Sequence, residues 1–464
     1  MEKKINISFK KIIEITEGSF IGNAKDSEYK QNNEGVNKKE FLISTITIDS
    51  RTSKKADLYI AIEGKNYDGN QFTKEALNNG AKFAIISDPK FQSDKTILVD
   101  SGELALAKIA LYLREQINPK VIAITGSNGK TSTKEILVSI MNNFLNQNQL
   151  LFTEGNLNNE IGLPLTLLKL KHTHTHSVLE LGMNHSGEIA RLTKISKPNI
   201  GLITNIGEAH IQNFKSKDNI AEAKKELLYN SDQLETCILP RDDDYYQFLA
   251  KDLKNLKQIT FGFTKKATIN CELIDEKTIT IFTPDGKFNT KINLLGKHNI
   301  QNILSACACS YALGIPIKIM KKGIQAIKPF PGRLENMINS KGINIINDTY
   351  NANPSSMREA IDVLAHKKGI KILVIGDMAE LGNETNKYHK ELGDYIKASN
   401  IDFTFAVGRH TKITMQQLGK DDLWFDSKEA LVNMLLKIIK PKSTILVKGS
   451  RYMKMEDVVN KIIL

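Results

Sequence analysis

The stretch "VIAITGSNGKTSTKE", Val121 to Glu135, decides how the chain is read. An apolar run of strand character ends in small residues and then Gly129, Lys130 and Thr131, the order of a strand, a phosphate-cradling turn and a helix. The strict phosphate-loop pattern asks for Gly five positions before Gly129 and meets Ile124 instead. The physical ingredients are present all the same. Gly126 and Gly129 permit positive φ and close backbone approach. The first N–H groups of a helix starting near Thr131 favour an anion through the helix dipole. Lys130 would reach the outer phosphates, and the Thr131 hydroxyl a Mg²⁺. The run Thr125, Gly126, Ser127, Asn128, Gly129, Lys130, Thr131 and Ser132 therefore reads as a nucleotide-phosphate site. The plain alternative is a glycine turn that happens to carry Lys and Thr.

At 464 residues the chain exceeds the size at which single cores stop growing, so two to four domains are expected. Hydrophobic content of 41% and charged content of 25% are those of a folded protein. The net charge of +12 comes from 64 basic against 52 acidic residues, without a dense Lys/Arg block or aromatic interleaving. Nucleic acid is thus not an expected partner, whereas an anionic small substrate suits the field. Cys237, Cys271, Cys307 and Cys309 form neither a CxxC pair nor a zinc spacing, so buried free thiols are expected. The start "MEKKINISFKKIIEIT" lacks the apolar core of a signal peptide, and no run reaches the ~18–20 apolar residues of a membrane span. A cytoplasmic protein without an integral membrane segment is expected.

From Ile43 to Asp100 short apolar runs ("ITID", "DLYIAI", "FAIIS", "TILVD") alternate with polar helical pieces, which predicts a small α/β domain, taken over 1–118. The polar stretch "GNAKDSEYKQNNEGVNKKE" before it reads as a loop or insertion. Residues 119–328 place the strand candidates "VIAITG", "SVLELGM", "NIGLITNIG", "TCILP" and "QITFGF" between helical stretches, the pattern of a doubly wound, mostly parallel sheet. "ATINCELIDEKTITIFTPDGKFNTKINLL" reads instead as an antiparallel insert turning at Pro284-Asp285-Gly286. Pro329 and Pro331 mark a second boundary, and "INIINDTY", "KILVIGDM", "FTFAVG" and "STILVKGSR" give a third α/β unit over 329–464.

Ligands of an open parallel sheet gather at the carboxyl ends of strands, which brings Glu180 of "SVLELGMNHSGE" and His210 of "ITNIGEAH" towards the phosphate loop. Each alone is equally a solvated loop residue. By spacing, Lys224, Lys225 and Glu226 in "NIAEAKKELL" read as an exposed helix face. His172, His174 and His176 in "KHTHTH" could share one face of a strand as a metal face, but a polar surface loop is the favoured reading.

"TGSNGKTSTK", "TEGNLNNEIGLPLTLL", "LELGMNHSGEI", "AKKE", "LLGKHNIQNILSA", "PGRLE", "NDTYNANPSSM", "VIGDMAELG" and "LVKGSR" follow in the order seen in the Mur ligases, and the chain resembles that family from "TIDSRT" to Arg451. The phosphate loop alone would suit any member, including a folylpolyglutamate-type ligase that adds one amino acid. "GNLNNEIG" with "DTYNANP" narrows the resemblance to the member that adds a dipeptide, and the "DNPR"-like loop of the sister adding the third residue is not found. The resemblance implies three domains, namely a UDP-substrate domain, a central ATP-binding domain and a mobile Rossmann-like C-terminal domain. It implies ATP and Mg²⁺ as cofactors, UDP-MurNAc-tripeptide and D-Ala-D-Ala as substrates, and a monomer.

Residue by residue, Ser50 and Arg51 match the "DSR" positions that meet the UDP part, while Asn70 in "DGNQF" replaces the His usual in the family. Asn156, Asn158 and Asn159 fall in "GNLNNEIG" as substrate residues. Lys130 and Thr131 match the phosphate and Mg²⁺ positions, Glu180 and His210 the metal ligands, and Lys224 the lysine carried as a carbamate, a metal-holding anion that would displace the exposed-face reading. Asn299 and Asn302 match positions near the adenine, and Arg333 and Asp348 residues that close on ATP. Tyr350, Asn351, Asn353 and Pro354 sit in the motif that the resemblance implies faces the incoming dipeptide. The remaining rivals are a sister ligase with a single amino acid as substrate and a nucleotide-binding protein without chemistry.

Overall fold

The computed structural model describes residues 6–21, 41–64 and 66–463. The polar stretch at 22–40, read as a loop or insertion, lies outside the described residues.

At the centre stands a six-stranded, wholly parallel sheet in the order Lys257–Phe261, Thr236–Pro240, Ile200–Ile203, Lys120–Thr125, His176–Glu180, Leu150–Phe152. Its strands read as unbroken apolar runs because helices cover both faces: Ile122 and Ile124 face one core, Val121 and Ala123 the other. The strand that feeds the phosphate loop sits third from one edge, where chain order reverses and open sheets bind ligands. The helix Lys130–Met141 packs on Lys297–Ala312, whose residues from Ile303 to Ser310 are all buried. The predicted insert is a three-stranded antiparallel sheet, Asn270–Leu273, Thr278–Thr283 and Gly286–Lys291, and it turns at Pro284-Asp285.

The N-terminal sheet runs Ser19–Phe20, Thr96–Leu98, Phe83–Ile86, Leu58–Ile60, Ile46–Thr47, parallel except for its first pair. The C-terminal sheet runs Glu335–Ile338, Asn344–Asp348, Thr444–Lys448, Lys371–Gly376, Phe403–Val407, Trp424–Phe425, again parallel except for the first pair. The α/β class and the parallel central sheet thus stand as expected. All four cysteines are free and buried, and burial pushes the Cys237 and Cys307 thiols up to about 12.

The strand after "KHTHTH" begins only at His176, so His172 and His174 lie in the turn before it, as the loop reading had it. The exposed-face reading of "AKKE" is overturned. Lys224 and Lys225 are 2% and 5% exposed, and the Lys225 Nζ donates to the Phe248 carbonyl at 2.7 Å. Glu226 accepts from Gly187 N at 2.8 Å and Ala190 N at 2.9 Å, capping the helix Glu188–Ser196. Charges at helical spacing look solvated in sequence; here a second helix and the segment around Phe248 pack onto that face.

One buried cation ties the N-terminal unit to the centre. Arg114, in the helix Gly102–Ile117, is fully buried and donates to Ser196 O (2.8 Å), Lys197 O (2.7 Å), Asn118 Oδ1 (2.8 Å) and Gln233 Oε1 (2.7 Å). Two of these are terminal carbonyls of the helix Glu188–Ser196, where a cation also complements the dipole. Burial lowers the guanidinium to about 10, and the fork of donors offsets part of that cost. Arg114→Met leaves one buried and three part-buried acceptors without their donor and is expected to destabilise the protein by ~3 kcal/mol. A urea titration followed by circular dichroism measures this, and a loss below ~1 kcal/mol would refute the role.

Candidate active site

The phosphate loop is shaped by what leaves no room beside it. Gly126 has φ 151°, and a Cβ there would lie 1.8 Å from the Thr204 hydroxyl oxygen. Gly129 has φ 78°, and its Cβ would lie 2.2 Å from Asn302 Oδ1. Both positions demand glycine twice over, for the dihedral and for space. The loop is stitched to the neighbouring strand ends: Ser127 N donates to Asn205 O (3.1 Å), Asn128 N to Asn205 Oδ1 (2.9 Å), and the Ser127 hydroxyl to Gly207 O (3.0 Å). Thr125 donates its hydroxyl to Leu181 O at 3.0 Å. Ile124, the residue that breaks the strict pattern, is fully buried in the strand itself.

A cavity of about 300 Å³ opens over this loop, lined by residues of the central and C-terminal units. On its central side the Thr131 hydroxyl donates to Glu180 Oε2 at 2.9 Å, while Asn158 Nδ2 donates to Glu180 Oε1 at 2.8 Å. Ser132, Asn159, His210, Asn299 and Asn302 also line the cavity. Asn302 Nδ2 donates to Asn299 Oδ1 at 3.1 Å, so this pair, expected near the adenine, also props the phosphate loop at Gly129.

The Lys130 Nζ turns back to Gly126 O at 2.7 Å, and desolvation lowers its pKa, with Glu180 opposing and Arg333 adding to the shift. Lys224 does not line the cavity but lies buried behind it. Burial and then the like charge of Lys130 push its amine well down, and no carboxylate pairs with it among the described residues.

From the C-terminal side, Arg333 donates to the Thr131 hydroxyl at 3.1 Å and stacks its guanidinium 3.8 Å from the Tyr350 ring centroid. Asn353 Nδ2 donates to Asn128 Oδ1 (2.7 Å), Asn128 Nδ2 to the Ser355 hydroxyl (2.8 Å), and Ser355 in turn to Asn353 Oδ1 (3.0 Å). Asn353 also caps the helix Pro354–Ala365, which fixes the amide that reaches across. The third unit is therefore closed upon the phosphate loop. Asp348 pairs with the buried Lys448 at 2.6 Å, and Lys448 also donates to Asn351 O at 2.9 Å.

Ser50 and Arg51 are not part of this cavity. They open a short 3-10 turn in the N-terminal unit, where Arg51 pairs with Asp49 at 2.8 Å and stays exposed. Asn156 is exposed and outside the cavity lining. Asn70, standing where relatives of the motif carry His, is buried and accepts from Ser87 N at 2.9 Å, so it braces the N-terminal unit. Sequence reasoning passed over Asn205, Lys448 and Glu380. All three sit inside quoted motifs, "ITNIGEAH", "LVKGSR" and "VIGDMAELG", which marked the segments without marking these side chains.

The Mur ligase family catalytic domain matches residues 42–143, the Mur ligase middle domain 124–310, and the Mur ligase glutamate ligase domain 332–451. A UDP-N-acetylmuramoyl-tripeptide--D-alanyl-D-alanine ligase of Buchnera aphidicola is 39% identical over 91% of this chain and 92% of its own. The crystal structure of MurF from Acinetobacter baumannii superposes with a TM-score of 0.89 at 32% identity over 99% of both chains. MurF ligase from Thermotoga maritima, solved in complex with ADP, gives 0.79 at 28% identity over 90% of this chain and 96% of that one. The chain belongs to the Mur ligase family.

Proposed function

We propose that this chain is an ATP-dependent ligase that joins D-alanyl-D-alanine to UDP-MurNAc-tripeptide, giving the pentapeptide precursor of peptidoglycan. The observation that carries the reading is the near full-length similarity to a relative bearing that activity in its name, joined to a phosphate loop whose Lys130 and Thr131 face a closing third unit. The three units are taken as 1–118 for the UDP-bearing substrate, with Ser50 and Arg51 towards the diphosphate, 119–328 for ATP, and 329–464 for the dipeptide. Among the described residues no helix is long and apolar enough to cross a membrane, and a cytoplasmic monomer is proposed.

Joining a carboxylate to an amine in water is uphill, so the carboxylate is first activated. A tripeptide carboxylate oxygen forms a bond to the γ-phosphorus of ATP, the bridge to the β-phosphate breaks, and ADP leaves. Lys130 and Arg333 offset the charge that gathers on the transferring group. The dipeptide amine then attacks the acyl carbon and gives up a proton, and phosphate leaves with the former carboxylate oxygen. The acyl phosphate must be kept from water. The contacts of Arg333, Asn353 and Ser355 with the phosphate loop support that exclusion, and Tyr350, Asn351 and Asn353 lie where the acceptor would enter.

The donor set suits Mg²⁺. The Thr131 hydroxyl and Glu180 carboxylate are hard oxygens 2.9 Å apart, and His210 lines the same cavity. These residues, with Lys224 as a carbamate, would hold Mg²⁺, which when bound neutralises phosphate charge. The carbamate has a physical motive. An ammonium buried beside Lys130 without a counter-ion is costly, so burial favours the uncharged, nucleophilic amine, and capture of CO₂ turns it into an anion that can face a cation.

Phosphate release by the purified protein with ATP, Mg²⁺ and UDP-MurNAc-tripeptide, followed together with product mass, is expected to require D-Ala-D-Ala and to yield the pentapeptide. Release with single amino acids only would move the chain to a sister ligase. Lys130→Ala is expected to lower turnover ~10²–10³-fold or more. Lys224→Ala is expected to lose nearly as much and to recover partly when a short carboxylate is added. In ¹³CO₂-equilibrated enzyme a carbamate carbon resonance should appear and vanish in that variant; fully active enzyme without the resonance would refute the carbamate.

A further inference from the structure

We propose that Glu380 of the C-terminal unit is a positioning residue for His210, so that the cation side of the site is completed only when the third unit closes. The inference rests on the reading of His210 as a cation ligand.

The Glu380 Oε2 lies 2.6 Å from the His210 Nδ1, a close carboxylate–imidazole contact without the alignment of a regular hydrogen bond. The two residues come from different units and 170 positions apart, and both are held in the left-handed region, His210 at φ 61° and Glu380 at φ 62°. Strained backbone on both sides of one contact persists only where the surroundings impose it. They do so here. Gln212 N donates to Glu380 O at 3.1 Å, so the main chains of the two loops also meet. Gly382, at φ 55°, passes so close that a Cβ would lie 3.0 Å from that of Gln212.

Behind Glu380 the loop is pinned to its own unit. Ala379 N donates to the Ser450 hydroxyl at 2.7 Å, and Met378 N donates to Nε2 of the fully buried His389 at 3.2 Å. The ligation chemistry itself uses none of these groups. A carboxylate on one imidazole nitrogen leaves Nε2 available to a cation and strengthens it as a donor, the usual arrangement around a metal-bound histidine. Because the carboxylate arrives from the third unit, cation affinity and closure are linked in both directions.

The test uses the full chain with Mn²⁺ and ADP as probes, reading Mn²⁺ binding by electron paramagnetic resonance and compaction by small-angle scattering, without turnover. Glu380→Gln, Glu380→Asp and His210→Ala are compared, each checked for folding by circular dichroism. Glu380→Gln is expected to weaken Mn²⁺ about tenfold and to lose the Mn²⁺-dependent compaction, with Glu380→Asp recovering part of both. If His210→Ala weakens Mn²⁺ while both Glu380 variants bind like wild type, the positioning role is overturned and the ligand reading stands. If none of the variants changes binding, both are overturned. Should Glu380→Gln fail to fold, Glu380→Asp decides by the same comparison.

Discussion

The phosphate loop is held between two surfaces, and the rest of the site depends on that confinement. On one side Thr204 and Asn302 fill the space a side chain at Gly126 or Gly129 would need, and Asn205 Oδ1 accepts from Asn128 N. On the other, Asn353 and Ser355 take both ends of the Asn128 amide. A backbone fixed in this way presents its N–H groups without reorganisation when charge develops, which is where an enzyme of this kind gains most. The same contacts report closure, because Asn353, expected to face the acceptor, also touches the loop.

Charge is distributed with equal economy. Lys130 from the central side and Arg333 from the C-terminal side bring two like charges together at the loop, and burial lowers the lysine further. Such a cluster is unfavourable by itself and favourable once phosphates enter, so substrate binding relieves a stress built into the fold. Asp348 and Lys448 form the opposite case, a buried pair that neutralises itself and anchors the loop after Asp348 through Asn351 O.

Much of this was legible in the sequence. The apolar runs between polar helices gave the strands from Lys120 to Phe261 and the parallel class, since a sheet covered on both faces writes itself as unbroken hydrophobic stretches. Leu150–Phe152 escaped because three residues carry no period, and Glu335–Ile338 escaped because this short edge strand runs polar, polar, apolar, apolar and so shows no alternation. Spacing made Lys224 an exposed charge, because periodicity along a helix does not record what packs on it; only the family resemblance pointed to its role. Contacts such as Asn128 with Asn353, or His210 with Glu380, join segments more than 150 residues apart and have no local signature.

The central claim is that the carboxylate is activated by phosphoryl transfer beneath a closed third unit. The direct measurement is the fate of oxygen when UDP-MurNAc-tripeptide labelled with ¹⁸O in its reacting carboxylate is turned over with ATP and D-Ala-D-Ala. The account predicts one ¹⁸O in each released phosphate and the other retained in the new amide. Phosphate free of label would contradict it.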